Sequence, residues 1–141
     1  MALGELIGEG RGKTTGHRVL DVEVPKMEVS FEMAGKYRGG IETSELGTYC
    51  SVMREGAETG VMYGEAKGII TSRDGQGMAT WTGQGIGRFT GGGKISFRGS
   101  IFYSTTSTSG GKLSILNNLV GVFEYEVDEQ GNCSVKVWEW K

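Results

Sequence analysis

The stretch Ala79-Thr-Trp-Thr-Gly-Gln-Gly-Ile-Gly-Arg-Phe89 decides the fold of this chain. Its odd-numbered positions carry alanine, tryptophan, three glycines and phenylalanine, and its even-numbered positions are mostly polar. A period of two residues is typical of a β-strand with one buried face. Repeated glycine on that face indicates strong bending. A small closed barrel needs such bending together with a mixture of small and large interior residues, so the stretch favours a barrel over a β-sandwich.

Similar alternation recurs from one end of the chain to the other. Strong strand patterns cover residues 27–34, 94–103 and 119–127, and weaker ones cover 5–13, 17–24, 48–54, 60–71 and 133–140. Turn signals such as the glycine run at 91–93 separate them, one helical turn is predicted at 113–119, and alternation is poor at 41–54. Because the connections are too short for parallel crossovers, the strands are predicted to be antiparallel. The expected fold is a single all-β domain over residues 1–141, an antiparallel barrel of eight strands, with nine as the alternative.

The amino-acid composition excludes several other classes of protein. Glycine accounts for 26 of the 141 residues and proline for one. The glycines follow no strict three-residue repeat, which excludes collagen, and they are accompanied by aromatic and β-branched residues, which excludes a disordered linker. A mainly helical protein is disfavoured, because each interior glycine costs about 1 kcal/mol relative to alanine.

The charge and the cysteine content indicate which binding partners and which cellular compartment to expect. Fifteen basic and 17 acidic residues give a net charge of −2, and no basic cluster is present, so no nucleic-acid partner is expected. The first ten residues lack the regions of a secretory signal, and no apolar stretch approaches the ~20 residues that span a bilayer. We therefore expect a cytoplasmic protein without a membrane partner. Cys50 and Cys133 are far apart in sequence and are expected to be free thiols.

Two glycine-rich motifs suggest nucleotide binding, but each lacks a required feature. Gly8-Glu-Gly-Arg-Gly-Lys-Thr14 is one residue short of the P-loop spacing, and a strand rather than a helix is predicted after it. Gly83-Gln-Gly-Ile-Gly87 lacks the third glycine of the dinucleotide fingerprint. His17 is the only histidine, so a two-histidine metal site cannot form and any Ser-His-Asp triad would have to include this residue. No metal site and no cofactor are predicted.

Large side chains on the predicted inner faces are the candidate site residues. They would line a space for a small apolar molecule, provided that the neighbouring glycines leave room at the backbone. The candidates are Met33, Met62, Trp81, Phe89, Phe97, Tyr103, Phe123, Tyr125 and Trp138. Tyr103 and Tyr125 also carry hydroxyl groups, which need partners inside a barrel. No catalytic residue is identified.

Two segments carry a resemblance to a known group of proteins. One is residues 79–90 (ATWTGQGIGRFT), continuing into 94–103 (KISFRGSIFY), and the other is 116–128 (LNNLVGVFEYEVD), followed by 137–140 (VWEW). Together they resemble a group of small, uncharacterised prokaryotic proteins with a barrel similar to that of allene oxide cyclase. The resemblance covers roughly the C-terminal half and implies an eight-stranded, self-associating barrel. Allene oxide cyclases, dirigent proteins and some polyketide cyclases are thought to hold apolar substrates in this barrel, but the plant cyclase's polar active-site residues match no positions here.

Three functions remain open at this point. The first is binding of a small apolar molecule in the barrel interior or mouth, which requires a space of about 300 Å3. The second is a cofactor-free cyclase or isomerase, in which Tyr103, Tyr125 or an arginine at the rim polarises an oxygen of an apolar substrate. The third is a ligand-free structural assembly, in which exposed Phe102, Val120 and Val122 form an interface. A homo-oligomer, either a dimer or a trimer, is expected.

Overall fold

The chain folds into a closed antiparallel β-barrel. The computed structural model describes residues 3–56, 58–106 and 110–141. The strands are β1 (Leu3–Asp21), β2 (Lys26–Tyr37), β3 (Ile41–Met53), β4 (Val61–Ser72), β5 (Met78–Gly91), β6 (Lys94–Ser104), β7 (Val120–Val127) and β8 (Asn132–Trp140). Each strand pairs with its neighbours in sequence, and β8 pairs with β1 to close the barrel. The predicted eight-stranded antiparallel barrel is confirmed.

The barrel has two unlike ends. At one end, which we call the helix end, a 3-10 helix (Gly111–Leu116) between β6 and β7 packs Leu113 and Leu116 into the core. At the opposite end, residues 16–21 of β1 pair with β2 but not with β8. The β1–β2 hairpin therefore extends beyond the β8 side of the wall, and its Val19 and Val22 side chains are exposed. We call this the open end.

Two strand predictions are corrected by the structure. The segments 5–13 and 17–24 were predicted as separate strands, but residues 5–21 belong to one strand, β1, because a shift in register between Thr14 and Gly16 lets the pairing with β2 continue, and residues 22–24 lie in the turn that follows. The poorly alternating segment 41–54 contains a regular strand, β3. Its buried positions include Thr43 and Glu45, whose polar side chains break the alternation of apolar residues.

Glycine on the inner face makes room for aromatic rings. Gly47 lies directly opposite Phe31 in the β2–β3 pairing, and Gly68 lies opposite Trp81 in the β4–β5 pairing. A Cβ atom at either glycine would collide with the ring of its partner. Gly8 likewise lies opposite Tyr37, and Gly87 lies opposite Phe97, and a Cβ at either of these glycines would also collide with the opposite ring. The space beside these glycines is therefore filled by rings from the neighbouring strand, and little of it is left for a ligand.

The predicted glycine turn between β5 and β6 is present. Gly91, Gly92 and Gly93 have φ angles of 109°, 62° and 80°, in the left-handed region that favours glycine. At the turn between β7 and β8, the Asp128 carboxylate accepts hydrogen bonds from the backbone N–H groups of Gln130 and Asn132, each at 2.9 Å. Both turns lie at the open end, where they form part of the rim.

Candidate functional site

The barrel interior contains one of two candidate sites, a cavity of about 60 Å3. Side chains from β2 to β8 line this interior cavity, and most of them are aromatic or aliphatic. The lining includes Phe31, Met33, Tyr37, Glu45, Tyr49, Ala66, Trp81, Phe97, Ile101, Tyr103, Phe123, Tyr125, Val135 and Val137. A buried water needs at least about 10–15 Å3 of such space. The interior cavity therefore has room for only a few non-hydrogen atoms.

The second candidate site is a groove of about 590 Å3 at the open end, which we call the mouth groove. Most of its lining is apolar, with charged groups between the apolar side chains. The apolar lining includes Val19, Val22, Met27, Met62, Phe89 and Ile95, and the charged lining includes Asp21, Lys26, Asp128 and Glu129. Grooves of about 580 Å3 also cross the outer wall, but charged residues such as Glu9, Arg11 and Lys36 line them. The mouth groove is therefore distinguished by its apolar surface rather than by its volume.

Four aromatic residues separate the mouth groove from the interior cavity. Tyr49 and Phe97 line both spaces, and their ring centroids lie 5.4 Å apart at an interplanar angle of 62°. The ring of Tyr125 packs 5.8 Å from that of Tyr49, and the ring of Phe31 packs 5.7 Å from that of Tyr125. Edge-to-face and tilted arrangements at these distances stabilise aromatic pairs. We call these four residues the aromatic layer.

A buried glutamate lies on the helix-end side of the aromatic layer. Glu45 is only 8% exposed. Its carboxylate accepts a hydrogen bond from the Tyr37 hydroxyl at 3.1 Å and another from the Trp81 indole N–H at 2.9 Å. Burial raises the pKa of Glu45 to about 7, although both hydrogen bonds favour the charged form. The carboxyl group therefore changes charge near neutral pH.

Two tyrosine hydroxyls inside the barrel lie beside other neutral groups, Tyr103 beside Tyr37, and Tyr125 beside Tyr49 and Cys133. The hydroxyls of Tyr103 and Tyr125 are buried and make no hydrogen bond of acceptable geometry within the described residues. Burial raises the pKa of both groups well above its ordinary value, and it raises the pKa of Tyr49 to about 12. These phenols therefore stay neutral at physiological pH. Each of these two hydroxyls has an oxygen that can accept a hydrogen bond from a molecule in the interior cavity.

The nine candidate site residues predicted from the sequence fall into three places. Six of them line the interior cavity, namely Met33, Trp81, Phe97, Tyr103, Phe123 and Tyr125. Met62 and Phe89 line the mouth groove, to which Phe97 also contributes. Trp138 lies elsewhere, because it pairs with Val122 and Leu6 on the outer face of the wall, whereas its neighbour Val137 points inward. A role for any of them in ligand binding stays a prediction.

The sequence reasoning missed the most polar part of the interior. Glu45, Tyr37 and Tyr49 were not among the predicted site residues, although all three line the interior cavity. A signal was present, since Gly47 and Tyr49 follow Thr43 and Glu45 at a period of two. Because glutamate is almost never fully buried unless it is paired, Glu45 made this series of residues look like an exposed face of the strand rather than its inner face.

The histidine and the two cysteines singled out from the sequence take no part in a metal site or a disulfide within the described part of the chain. His17 is exposed and contributes to the mouth groove. Cys50 and Cys133 are free thiols. Among residues 3–56, 58–106 and 110–141, no group of three or more histidine, cysteine, aspartate or glutamate side chains is arranged to hold a metal ion. No helix in the described part of the chain is long and apolar enough to cross a membrane.

Comparison with known proteins identifies the fold and leaves the function open. No family model and no curated protein matches the chain. The fold is that of a small, closed antiparallel barrel, and it is similar to the crystal structure of a conserved protein of unknown function from Rhodopseudomonas palustris. The two superpose with a TM-score of 0.74 over 99% of this chain and 98% of that one, at 13% sequence identity. Similarity at this level of identity shows the fold alone.

Proposed function

We propose that this small barrel binds an apolar molecule in the mouth groove. The observation that carries the proposal is that the mouth groove is both large enough for a ligand and lined mostly by apolar side chains. Sites for drug-sized ligands occupy about 300–1,000 Å3, whereas the interior cavity measures about 60 Å3 and the mouth groove about 590 Å3. The interior is therefore too small for such a ligand, and the predicted site is restricted to the mouth.

The exposure of the mouth groove supports an apolar ligand. Val22 is 79% exposed, Val19 is 63% exposed and Phe89 is 55% exposed, and all three line the groove. Covering apolar surface stabilises a complex by about 25 cal/mol per Å2. The resemblance to barrels that are thought to hold apolar substrates favours the same class of ligand. Membership of the allene oxide cyclase-like group stays a prediction.

Binding of the neutral apolar dye Nile red tests this proposal. We expect saturable binding to the wild-type protein and weaker binding to the Phe89→Ser variant, because serine removes an apolar surface from the groove. The loss should be about 1 kcal/mol, or roughly fivefold in Kd. Leu46→Ser is the matched control, since Leu46 is 65% exposed and does not line the groove. An absence of saturable binding, or an equal loss in both variants, would contradict the proposal.

A cyclase or isomerase reaction inside the barrel is less well supported. The tyrosine hydroxyls that this hypothesis requires do line the interior cavity, whose wall is mostly apolar apart from Glu45 and Gln84. However, a substrate that folds or cyclises must itself fit inside, and about 60 Å3 accommodates only a few non-hydrogen atoms. We therefore derive no catalytic step from this cavity.

Self-association is a second candidate property, which a separate apolar surface favours. Leu3, Leu6, Phe102 and Trp140 are exposed on the outer wall formed by β6, β7, β8 and β1, and Trp138 and Val122 lie between them in the register. We call these six residues the outer-wall patch. Contiguous apolar patches of this kind mark interaction sites, and a second copy of the chain is the commonest partner in soluble oligomers.

Sedimentation velocity tests self-association through this patch. We expect an oligomer for the wild-type protein and a shift toward monomer for Trp140→Ser, because a tryptophan at an interface contributes more than most residues. Ile69→Ser is the control, since Ile69 is similarly exposed on β4, outside the patch. A monomeric wild-type protein at every concentration would exclude the oligomer.

A further inference from the structure

When the Glu45 carboxyl group is ionised, no cationic side chain among the described residues inside the barrel balances its charge. The ion pairs among the described residues join arginines to glutamates other than Glu45, and they lie on side chains that are at least partly exposed. The groups that interact with Glu45 are Tyr37 from β2, Trp81 from β5, Tyr103 from β6 and the Cys133 thiol from β8, and none of them is cationic. A buried carboxylate without a counter-charge is costly. A positively charged ligand would remove that cost.

The lining of the interior cavity suits an organic cation. Phe31, Trp81, Phe123 and Tyr125 contribute aromatic rings to the wall of the cavity. Aromatic rings attract ammonium groups, and the attraction is larger when water is excluded. Tyr103 adds a further indication, because its hydroxyl is buried at this cavity and lies beside the neutral hydroxyl of Tyr37 rather than beside a charged donor. Its oxygen can accept an N–H bond, which every ammonium group with a proton can donate.

We propose that the interior cavity binds a small organic ammonium group, which donates hydrogen bonds to Glu45 and Tyr103 and packs against the surrounding aromatic rings. The volume of about 60 Å3 limits the enclosed part to roughly two to four non-hydrogen atoms. An anion is disfavoured, because it would be repelled by Glu45 whenever this carboxyl group is ionised. A bare metal ion is disfavoured, because a single carboxylate among aromatic rings offers too few oxygen ligands.

This ammonium site is independent of the mouth groove, but the two spaces adjoin. Tyr49 and Phe97 line both of them, so a molecule entering from the open end would pass this aromatic pair. The ammonium group could therefore come from a free small amine, or it could be the head of a longer amine whose apolar tail lies in the mouth groove. Both sources present the same chemistry to Glu45.

Calorimetric titration with isopropylammonium, and with isopropanol as a neutral compound of similar shape, tests the proposal. We expect saturable binding of the cation and at least about tenfold weaker binding of the alcohol, since hydrogen bonds to charged groups contribute about 1.5–3 kcal/mol. Glu45→Gln should weaken cation binding by a similar factor. Glu42→Gln, on the exposed face of the same strand, should leave it unchanged. Binding of neither compound would overturn the proposal and leave a cavity for water only, and equal binding of both would overturn it by showing that the cavity does not select for a cation.

Two further measurements keep the test decisive if the Glu45→Gln variant folds poorly. Tyr103→Phe, which leaves Glu45 intact, should weaken cation binding several-fold. Lowering the pH from 8 to 5 should also weaken it, because Glu45 gains a proton in this range, whereas the neighbouring tyrosines remain neutral and the amine stays protonated. Cation affinity that is unchanged by both the substitution and the pH would overturn the assignment to Glu45 and Tyr103.

Hexylammonium distinguishes the two sources of the ammonium group. Tighter binding than isopropylammonium, with a loss in Phe89→Ser, identifies a longer amine whose tail lies in the mouth groove. Equal or weaker binding identifies a free small amine. Either result supports the ammonium site, whereas hexylammonium binding that is insensitive to Glu45→Gln contradicts it. Because isopropylammonium does not depend on the mouth groove, failure of the dye experiment leaves this proposal standing.

Discussion

The helix end and the open end of this barrel are built from the same alternating strands, yet they differ in packing. Toward the helix end, inner glycines lie opposite large rings such as Trp81, and Leu113 and Leu116 add to the core. Toward the open end, the strands extend past their neighbours and leave Val19 and Phe89 exposed. The difference teaches that glycine-rich inner faces do not by themselves create a ligand cavity. What lies opposite each glycine decides whether space remains.

The largest expected effect comes from truncating one phenylalanine in each of the two regions and comparing the losses of stability. Phe31 is 5% exposed in the aromatic layer, whereas Phe89 is 55% exposed in the mouth groove. Phe31→Ala should lower the free energy of unfolding by about 3–5 kcal/mol, as is usual for a buried phenylalanine. Phe89→Ala should lower it by less than about 1 kcal/mol. Urea denaturation measures both values, and similar losses in the two variants would show that the regions are equally packed.

The pH dependence of stability should report the buried carboxyl group of the interior. Glu45 has a folded pKa of about 7 against an ordinary value of 4.5, so the folded protein holds a proton that the unfolded chain releases. Its contribution to stability is therefore greatest below pH 4.5 and is lost as the pH rises to about 7, by roughly 3 kcal/mol in total. The wild-type protein should become less stable relative to Glu45→Gln across this window.

The comparison with Glu45→Gln is needed because other carboxyl groups act in the opposite direction. Hydrogen bonds to Asp74 and Asp128 lower the pKa of these exposed turn residues, so they favour the folded state at higher pH. Their contribution is the same in both proteins and cancels in the difference. If the difference in unfolding free energy between the wild-type protein and Glu45→Gln stayed constant from pH 4.5 to pH 8, Glu45 would not be desolvated.

A smaller effect is expected from adding one methyl group to a glycine in each region. A Cβ at Gly68 would collide with the Trp81 ring, whereas a Cβ at Gly16, in the hairpin at the open end, has no neighbouring atom within 4 Å. Gly68→Ala should destabilise the fold by about 1–3 kcal/mol. Gly16→Ala should be neutral or slightly stabilising, since alanine restricts the unfolded chain. Equal thermal stability of the two variants would contradict the role of glycine as space for rings.

The smallest expected effect concerns the Tyr103 hydroxyl. Because this buried hydroxyl lies beside the Tyr37 hydroxyl but makes no well-aligned hydrogen bond, Tyr103→Phe in the absence of amines should change the free energy of unfolding by less than about 1 kcal/mol. Chemical denaturation of the wild-type and variant proteins measures the change. A destabilisation of more than about 2 kcal/mol would reveal a hydrogen bond that the packed interior depends on.

The fold could be predicted from the sequence because alternation directly encodes the two faces of a strand. In residues 79–89 and 94–103, the apolar positions that the alternation predicts to face inward lie on the inner face of the barrel in the structure. The continuity of β1 could not be predicted, because the register shift between Thr14 and Gly16 has no signature distinguishable from a turn.

The candidate site was less predictable than the fold. The sequence shows that Gly64 and Gly68 share one face of a strand. Which side chains fill the space beside these glycines depends on the pairing register between strands, which places Gly68 opposite Trp81. Glu45 was missed because a charged residue on an inner face resembles an outward position until its partners Tyr37 and Trp81 are known. Those partners come from strands distant in sequence, so no local pattern contains them.

Chemical-shift mapping with 13C-methyl-labelled methionine tests the contrast between the two regions most directly. The six methionines include Met27, Met53 and Met62 in the mouth groove, Met33 at the interior cavity and Met78 near the helix end. On titration with Nile red, we predict shifts of the three mouth methyl groups, with Met33 and Met78 unchanged. A shift that is largest at Met33 would mean that the ligand enters the interior, and it would contradict a packed interior below an open, apolar mouth.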